Sequence, residues 1–460
     1  MDSGTPTFSE FDPTYIKSQV QVINDVYHDY DYSLGVHEIL LSGAVGSAKS
    51  LLAAHLIVRH VTENNNARFL LGRKSLPDLR ETIYMKIVEH LEGTFKEGVD
   101  YWKYDNACRI RFRNGSRIIS RTWSDRKYKK FRSLELSGAF IEELTENDEK
   151  DEQAYKEIKM RVGRLPHIKN CLVISATNPD SPAHFAYKYF MLSTSKTRHV
   201  YYSLTKDNMF LPDWYVDQLR EDLDPKEARR MLDGEWLELS SDTVYHAYTS
   251  EKNFEKSKKW EPEENYPIHL AWDFNIGLGK PLSMVMFQVV DNVFRFFKEV
   301  IIHGAKTHES CEEVGATGVL NVDTLFYIHM DATGKSNSTK SLKSDYEIIE
   351  HYMSHYRTPD GYSLQYEMAV PKTNPPIRTR QNVVNGYCLN DMGAVRLKVY
   401  SECPILDEGF RLTKFKNGSN FQENDNNHYQ HCTTSAGYGI MWVHKKRTAT
   451  RNRSRSEKIR

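Results

Sequence analysis

The stretch from Gly43 to Ser50, GAVGSAKS, constrains this chain more than any other. It follows an apolar run at Glu38 to Leu41 and opens a helical pattern from Leu51 to Val61, so it predicts a strand, a turn and a helix. Backbone N–H groups of such a turn, at a helix N-terminus, favour a polyphosphate. The predicted site for a nucleoside triphosphate consists of Gly43, Ala44, Val45, Gly46, Ser47, Ala48, Lys49 and Ser50.

Within this turn, Lys49 is expected to reach the terminal phosphates and the Ser50 hydroxyl to bind Mg²⁺. The usual phosphate-loop pattern has glycine immediately before the lysine, and here that residue is Ala48. The alternative interpretation is an ordinary strand, turn and helix with a solvated lysine.

Composition indicates a globular chain of two or three domains, since 460 residues carry 39% hydrophobic and 27% charged side chains. The apolar runs are too short to span a membrane, and the N-terminus is polar, unlike a signal peptide. The six cysteines show no C-x-x-C pairing, which favours a reduced, cytoplasmic location.

Short β-rich runs alternate with helical patterns in the first half, as a parallel sheet covered by helices requires. The segment Asn114-Gly115-Ser116 between two such runs predicts a hairpin. The predicted strands are Ile39 to Ser42, Ala67 to Leu71, Ile110 to Phe112, Arg117 to Arg121, Ala139 to Ile141 and Leu172 to Ser175.

A second unit is predicted after a polar connector, Glu251 to Tyr266, with Leu204 to Leu239 as a small helical linker. The last stretch, Lys445 to Arg460, is strongly basic and almost without apolar residues, so it is predicted to be a disordered tail that binds either DNA or a protein partner. The predicted strands of the second unit are Ile268 to Asp273, Met284 to Val290, Val293 to Val300 and Phe326 to Asp331.

Two adjacent acids follow the strand Ala139 to Ile141. Glu142 is expected to hold the Mg²⁺ of the nucleotide and Glu143 to act as the general base for water. The alternative is a charge bias at a helix N-terminus. The next strand ends in Thr177 and Asn178, which could sense the γ-phosphate or simply end the strand at a turn.

Taken in order, these motifs resemble the large terminase subunit of tailed bacteriophages. The resemblance rests on the phosphate loop, Gly72-Arg73-Lys74, Asn114-Gly115-Ser116, the Glu142-Glu143 pair and the motif Ser175 to Pro179. It continues through Asp207-Asn208 and Gly234-Glu235-Trp236 to about Val443.

The resemblance implies an α/β chain: an N-terminal P-loop (RecA/ASCE-like) ATPase with a parallel-core sheet, and a C-terminal RNase H-like α/β nuclease domain. The implied bounds are 1–204 for the ATPase, 205–260 for a linker and connector, 261–443 for the nuclease and 444–460 for the tail. The implied activities are ATP-driven translocation and Mg²⁺- or Mn²⁺-dependent cleavage of double-stranded DNA. The implied partners are the portal protein, the small terminase subunit and further copies in a ring, such as a pentamer, in the cytoplasm of an infected bacterium.

In the nuclease, the resemblance assigns metal-binding positions to Asp273 and Asp331, which end two apolar strands. Strand-end aspartates are also common as loop caps. The family's third position follows an H-x-x-D-A-x-G-Y pattern, and Thr434 occupies the aspartate's place. Asp425 or His431 could supply the missing ligand, the metal could bind only with DNA, or the nuclease could be disabled. A zinc site of His428, His431 and Cys432 is the less favoured interpretation.

Motors of this family often carry an arginine in the phosphate loop, but Val45 stands there. A guanidinium for the transition state would have to come from elsewhere, including a neighbouring subunit. The candidates are Arg73, Arg121, Arg126, Arg132, Arg161 and Arg164. The alternative functions are a helicase or restriction-type translocase, and a DNA-binding packaging component with an impaired nuclease.

Overall fold

The computed structural model describes residues 16–123, 131–146, 149–237, 243–274, 280–320, 324–335, 343–416, 419 and 422–456. The chain divides into two compact units. The N-terminal unit comprises the described residues of Met1–Asp217 and Ala228–Leu239, and the C-terminal unit comprises those of Gln218–Glu227 and Ser240–Arg460.

The N-terminal unit is built on an eight-stranded sheet of order β3-β4-β5-β2-β6-β7-β1-β8. Its strands are β1 His37–Gly43, β2 Arg68–Arg73, β3 Tyr101–Tyr104, β4 Arg109–Phe112, β5 Arg117–Thr122, β6 Gly138–Glu142, β7 Leu172–Thr177 and β8 Arg198–Ser203. The six strands from β5 to β8 in this order pair in parallel, and β4 and β3 extend the sheet as an antiparallel hairpin. The predicted hairpin is the antiparallel pair of β4 and β5 across Asn114-Gly115-Ser116, so it and the predicted α/β fold are both confirmed.

Helices cover this sheet because its central strands are apolar on both faces, as parallel strands usually are. The strands β1, β6 and β7 are buried at every position. The α-helices of the N-terminal unit are α1 Lys17–Asn24, α2 Lys49–Glu63, α3 Leu76–Leu79, α4 Met85–Glu92 and α5 Glu149–Lys159, with π-helical turns at Asp25–Asp29, Arg80–Tyr84 and Tyr187–Met191. Two further helices, α6 Trp214–Asp222 and α7 Pro225–Met231, are shared with the C-terminal unit. Short 3₁₀ turns lie at Tyr32–Leu34, Asp105–Ala107 and Thr205–Asp207.

The C-terminal unit contains a seven-stranded mixed sheet of order β14-β13-β10-β11-β12-β15-β9. Its strands are β9 Phe254–Glu255, β10 Ile268–Asp273, β11 Pro281–Val290, β12 Val293–His303, β13 Leu325–His329, β14 Gln365–Met368 and β15 Leu397–Tyr400. The strands β10, β11 and β12 form the expected antiparallel meander, and β13 and β14 continue the sheet in parallel. The expected RNase H-like α/β arrangement is confirmed.

Apolar clusters lie on both faces of this second sheet, one including Phe287, Phe294 and Phe296 and the other including Trp272 and Met284. The helices are α8 Ser250–Asn253, α9 Thr307–Ala316, α10 Asp345–His355, α11 Ile377–Cys388, α12 Pro404–Leu412 and α13 His428–Ser456, with a 3₁₀ turn at Ala332–Lys335. No helix among the described residues is long and apolar enough to cross a bilayer.

The prediction of a disordered basic tail is wrong as far as Ser456, because α13 continues through those residues. The start of the basic stretch packs onto the sheet: Lys446 Nζ lies 3.8 Å from the ring centre of Trp442 and 4.9 Å from that of Tyr327. Arg447 lies over Phe294, 5.5 Å from its ring centre. Aromatic rings attract such cations, which offsets the lack of apolar side chains. Residues 457–460 lie outside the described residues.

The polar connector Glu251 to Tyr266 contributes structure to the second unit, since β9 pairs with β15. A two-residue strand carries too little pattern to be found from sequence. The segment expected to be a helical linker does form α6 and α7, and these helices contribute residues to both units. The division into four segments, at 204, 260 and 443, stays a prediction.

Candidate functional sites

The phosphate-loop sequence forms a tight turn between β1 and α2, with two left-handed residues. Gly46 has φ 73° and Ala48 has φ 62°. Glycine adopts this conformation freely, whereas for alanine it costs about 1 kcal/mol. A Cβ atom on Gly43 would lie 2.8 Å from the Ser203 carbonyl oxygen, so that position requires glycine. Ala48, which replaces the usual glycine of the phosphate loop, therefore fits the turn by adopting a left-handed backbone.

Residues far along the chain hold this loop in place. The Val45 carbonyl accepts a hydrogen bond from Thr205 Oγ1, and the Gly46 carbonyl accepts one from Asn208 Nδ2, both at 2.7 Å. Trp236 Nε1 donates to Ser42 Oγ at 2.9 Å. Sequence reasoning assigned no role to these side chains. Asn208 and Trp236 were signalled only by the motifs Asp207-Asn208 and Gly234-Glu235-Trp236, and Thr205 by no motif.

Lys49, the first residue of α2, turns its ammonium group back toward the loop. Its Nζ donates to the Gly43 and Ala44 carbonyl oxygens, each at 2.8 Å, and to Asn178 Oδ1 at 3.1 Å. Burial lowers the pKa of Lys49 to about 8, and the nearby Glu143 carboxylate opposes this shift. The ammonium therefore remains mostly charged at neutral pH. Ser50 follows as the second residue of α2.

Glu143 leaves the end of β6 with a left-handed backbone, φ 51°. Burial raises the pKa of its carboxyl group, while Lys49, Arg73 and a hydrogen bond from the Asn178 backbone lower it. Glu142 ends β6 and Glu143 follows it outside any helix, while the next described helix is Glu149–Lys159. The helix N-terminus interpretation of the acid pair is therefore wrong. Glu143, Lys49 and Asn178 are thus brought together as the sequence predicted.

Thr177, the last residue of β7, faces the residues that follow Glu143. Its Oγ1 lies 2.6 Å from Thr145 Oγ1, and Thr145 also donates to the Asn178 carbonyl at 3.2 Å. These bonds tie the end of β7 to the turn that carries Glu143. Thr145 was missed because a threonine in a polar turn has no distinctive pattern.

Glu142 is buried and contacts a cation and a hydroxyl in the structure. Arg73 Nη1 donates to Glu142 Oε2 at 3.2 Å, and Thr82 Oγ1 donates to the same oxygen at 2.5 Å. Burial raises its pKa to about 7, and Thr82 and Arg73 oppose the shift. A divalent cation would favour the ionised form, but it would have to compete with Arg73 and Thr82 for Glu142 Oε2, so the Mg²⁺ role of Glu142 stays a prediction.

Of the arginines considered for the transition state, Arg73 lies nearest to this chemistry, bridging Glu142 and Glu146. The other described candidates contact groups elsewhere: Arg121 the Ser120 carbonyl, Arg132 and Arg161 the Glu157 carboxylate, and Arg164 the Met160 carbonyl. Arg126 lies outside the described residues.

The C-terminal unit places Asp273 and Asp331 at one edge of its sheet. The strands β10 and β13 pair in parallel, with Ala271 opposite His329. Asp273 and Asp331 each lie two residues beyond this pair, at the same end of the two strands. Burial raises the pKa of Tyr438, Arg380 opposes the shift, and the Asp273 and Asp331 carboxylates both add to it. The predicted pair is therefore near enough to act on one side chain.

Asp273 and Asp331 differ in their contacts. Asp273 Oδ2 lies 2.9 Å from His431 Nδ1. Asp331 Oδ1 accepts hydrogen bonds from Thr333 Oγ1 at 2.6 Å and from the Gly334 backbone at 2.9 Å. The contacts of Asp331 have the form of a loop cap, the alternative interpretation of this residue, and its metal role stays a prediction. His431, which was expected as a further ligand, contacts Asp273 directly.

Asp425, the other suggested replacement ligand, pairs its carboxylate with Lys280. Its backbone carbonyl lies 3.3 Å from His431 Nε2. The carboxylate is thus neutralised by a lysine, which leaves it less available to a metal.

Thr434 is buried beside a carboxylate that sequence reasoning missed. Its Oγ1 accepts a hydrogen bond from Gln430 Nε2 at 2.8 Å and lies 3.4 Å from Glu423 Oε2. Glu423 also pairs with Arg380 Nη2 at 3.1 Å. Burial raises the pKa of Glu423, but Arg380 and two amide donors outweigh it and hold the pKa below the usual value. An anionic Glu423 therefore stands next to the position of the missing aspartate.

The zinc interpretation of His428, His431 and Cys432 finds no support. His428 Nε2 faces Glu408 at 3.8 Å, and Cys432 Sγ faces Glu299 Oε2 at 3.8 Å. The three side chains thus point to different partners, and within the described residues they form no cluster of metal-binding atoms. The six cysteines are buried free thiols.

Comparison with known proteins matches residues 36–235 to the family model described as phage terminase large subunit. This chain resembles the phage large terminases. The matched stretch contains the phosphate loop, the Glu142-Glu143 pair, and Thr205 and Asn208, which hold the loop. The terminase resemblance found in the motifs is therefore confirmed.

A curated relative supports the same resemblance. The PBSX phage terminase large subunit of Bacillus subtilis (strain 168) is 27% identical over 224 residues, which cover 44% of this chain and 49% of the relative. The matched part of the chain thus spans about half the length of that terminase.

Solved large terminases share the fold over nearly the whole chain. The large terminase of a thermophilic bacteriophage matches with a TM-score of 0.65 at 13% identity, covering 92% of this chain and 98% of that one. The same phage protein in complex with ATP-gamma-S matches with a TM-score of 0.64. Both units of this chain are therefore built from the elements of a large-terminase fold.

Proposed function

We propose that this chain is the motor and nuclease subunit of a phage DNA-packaging machine, in which the N-terminal unit hydrolyses ATP. The observation that carries the proposal is the meeting of Lys49, Glu143 and Asn178 beside the phosphate loop. Lys49 would neutralise the phosphates, Ser50 and Glu142 would hold Mg²⁺, and Glu143 would take the proton of the attacking water. The terminase of the thermophilic bacteriophage, which has this fold, is described in complex with ADP and with ATP-gamma-S.

Lys49→Ala tests the nucleotide site. Its loss removes a charge-assisted hydrogen bond to phosphate, worth about 1.5–3 kcal/mol, so we expect ATP affinity to fall by about 10- to 150-fold. Binding of a fluorescent ATP analogue measures this directly. The matched control is Lys86→Ala, which removes an exposed lysine paired with Glu89. Equal affinity of the two variants would refute the assignment of Lys49.

The second half of the proposal is metal-dependent cleavage of double-stranded DNA in the C-terminal unit. It is supported by Asp273 and Asp331, which follow paired parallel strands, and by His431 on the first of them. Carboxylates at such an edge hold Mg²⁺ or Mn²⁺ for in-line attack on a phosphodiester. The proposed partners are DNA, the portal protein, the small terminase subunit and other copies in a ring, all in the cytoplasm of the infected bacterium.

A helicase is less well supported, because the described residues of the C-terminal unit form a mixed sheet with an antiparallel meander and not a second parallel motor sheet. A packaging component with an impaired nuclease is the second candidate. Thr434 favours it, since a hydroxyl held by Gln430 replaces the family's carboxylate.

Thr434→Asp distinguishes an impaired nuclease from a complete one. If the third ligand is missing, the new carboxylate should raise Mn²⁺-dependent nicking of plasmid DNA at least about tenfold, the scale of an outer-sphere metal effect. Because Glu423 Oε2 lies 3.4 Å from Thr434 Oγ1, the acid is tolerated only when a cation offsets the repulsion. Thr434→Asn is the neutral control of the same size. Equal nicking by the wild-type, Asp and Asn proteins would reject the impaired-nuclease candidate.

A further inference from the structure

Three side chains of the types that bind metals, from separate segments, meet at the end of the N-terminal sheet opposite the phosphate loop. Asp25 begins the π-helical turn after α1, His37 begins β1, and His199 lies on β8, where it pairs with Ile39. Asp25 Oδ2 lies 2.6 Å from His199 Nδ1 and 3.3 Å from His37 Nε2, and the two nitrogens are 3.1 Å apart. Within the described part of the chain, these three residues form the group of histidine and acidic side chains whose potential metal-ligand atoms all lie within 4.8 Å of one another.

Hydrogen bonding alone does not satisfy this triangle. A carboxylate only accepts, and each ring nitrogen either carries one proton or accepts one. If both nitrogens are protonated, their N–H groups face each other across 3.1 Å. If only one nitrogen is protonated, the lone pair of the other nitrogen faces a lone pair of the Asp25 carboxylate, and the two repel each other. With Asp25 ionised, every assignment of the ring protons therefore leaves one of the three contacts repulsive.

A cation at the centre removes the conflict, because all three lone pairs then point at it. Tetrahedral ligands about 2.0–2.1 Å from Zn²⁺ lie about 3.3 Å from one another, which is the spacing of His37 and Asp25. The pairs at 3.1 and 2.6 Å would have to open slightly when the ion binds. We propose that Asp25, His37 and His199 bind a divalent transition-metal ion of the zinc class. The Tyr201 hydroxyl, which donates to the same Asp25 oxygen, or a water would complete the coordination.

The surroundings suit a structural metal that enters from solvent. The His37 side chain is fully buried, and its ring stacks on Tyr30 with centroids 3.8 Å apart, which fixes its orientation. The His199 side chain is 34% exposed and that of Asp25 14%, so the site has an entry path. Imidazole nitrogen with a carboxylate oxygen is a donor set that favours zinc over Mg²⁺.

Such an ion would tie the N-terminal helical segment to β1 and β8. In the same segment, Gln19 Nε2 of α1 donates to the Ala48 carbonyl of the phosphate loop at 3.3 Å. Fixing Asp25 would therefore steady the helix that borders the nucleotide site. The inference does not depend on ATP hydrolysis or on DNA cleavage.

The test uses untagged full-length protein carrying Asp273→Asn, so that the nuclease carboxylates do not contribute. After treatment with a chelator, the protein is titrated with Zn²⁺ alone, and with Co²⁺ as a spectroscopic probe. We expect one tightly bound Zn²⁺ per chain, a tetrahedral Co²⁺ absorption spectrum and a higher Tm with Zn²⁺. Structural zinc contributes to folding free energy, which is the reason for the Tm increase.

Two variants and one control decide the outcome. His199→Ala removes a partly exposed ligand, and Asp25→Asn keeps the shape of the side chain but loses its charge. Both should lower Zn²⁺ affinity at least about tenfold and abolish the Tm increase. His28→Ala, in the same segment and exposed, should behave like the parent protein. Absence of a bound Zn²⁺ equivalent, or equal affinity in all variants, would overturn the proposal, and far-ultraviolet circular dichroism verifies that each variant is folded.

Discussion

Glu143→Gln is expected to bind ATP as tightly as the wild-type protein while turning it over about 10²- to 10⁴-fold more slowly, the usual contribution of a general base. The amide has the shape of the carboxylate but cannot accept a proton at neutral pH. Lys49, which contacts the phosphate-loop carbonyls, is left in place, so the binding site persists. Steady-state phosphate release measures turnover, and a fluorescent ATP analogue measures binding.

The control for this change is Glu89→Gln, which alters an exposed glutamate on α4 that pairs with Lys86. We expect wild-type turnover from it. If Glu143→Gln also hydrolyses ATP at the wild-type rate, the general base lies elsewhere, and Glu142 becomes the first residue to examine.

Asp273→Asn is expected to reduce Mn²⁺-dependent nicking of supercoiled DNA at least about 10²-fold. A metal ligand contributes several kcal/mol of transition-state stabilisation, and about 3 kcal/mol corresponds to that factor. The amide can still face His431 Nδ1, which lies 2.9 Å from Asp273 Oδ2, so the fold should be retained. Conversion of supercoiled to open-circular plasmid is the measurement.

Asp291→Asn supplies the matched control in the same unit. Asp291 is an exposed residue in the turn between β11 and β12, with φ 51°, and asparagine tolerates that conformation. It should cleave DNA at the wild-type rate. Nicking that survives in Asp273→Asn would show that these carboxylates do not hold the catalytic metal.

Local patterns predicted much of the nucleotide site. The phosphate loop, the acid pair and the end of β7 each lie within one strand and the turn after it, and parallel pairing of β6, β7 and β1 brings their ends together. Local sequence patterns do not reveal which distant residues will form hydrogen bonds with the loop. Thr205 and Asn208, which bind the loop carbonyls, lie 160 and 162 residues from their acceptors.

Sequence patterns predicted less of the candidate nuclease site and of the C-terminal helix. Glu423 carries no motif, and its place beside Thr434 depends on burial against Arg380, 43 residues away. The basic stretch after Val443 has the composition of a disordered segment, yet Lys446 and Arg447 pack on aromatic rings and the helix continues. Composition describes a segment by itself and cannot register the surface against which it packs.

The central claim is that two independent active centres share this chain. The most direct test assays ATP turnover and plasmid nicking side by side in the wild-type protein, Glu143→Gln and Asp273→Asn, with ATP and Mn²⁺. We expect Glu143→Gln to lose turnover and keep nicking, and Asp273→Asn to lose nicking and keep turnover. Loss of both activities in either folded variant, or of neither in both variants, would contradict the claim.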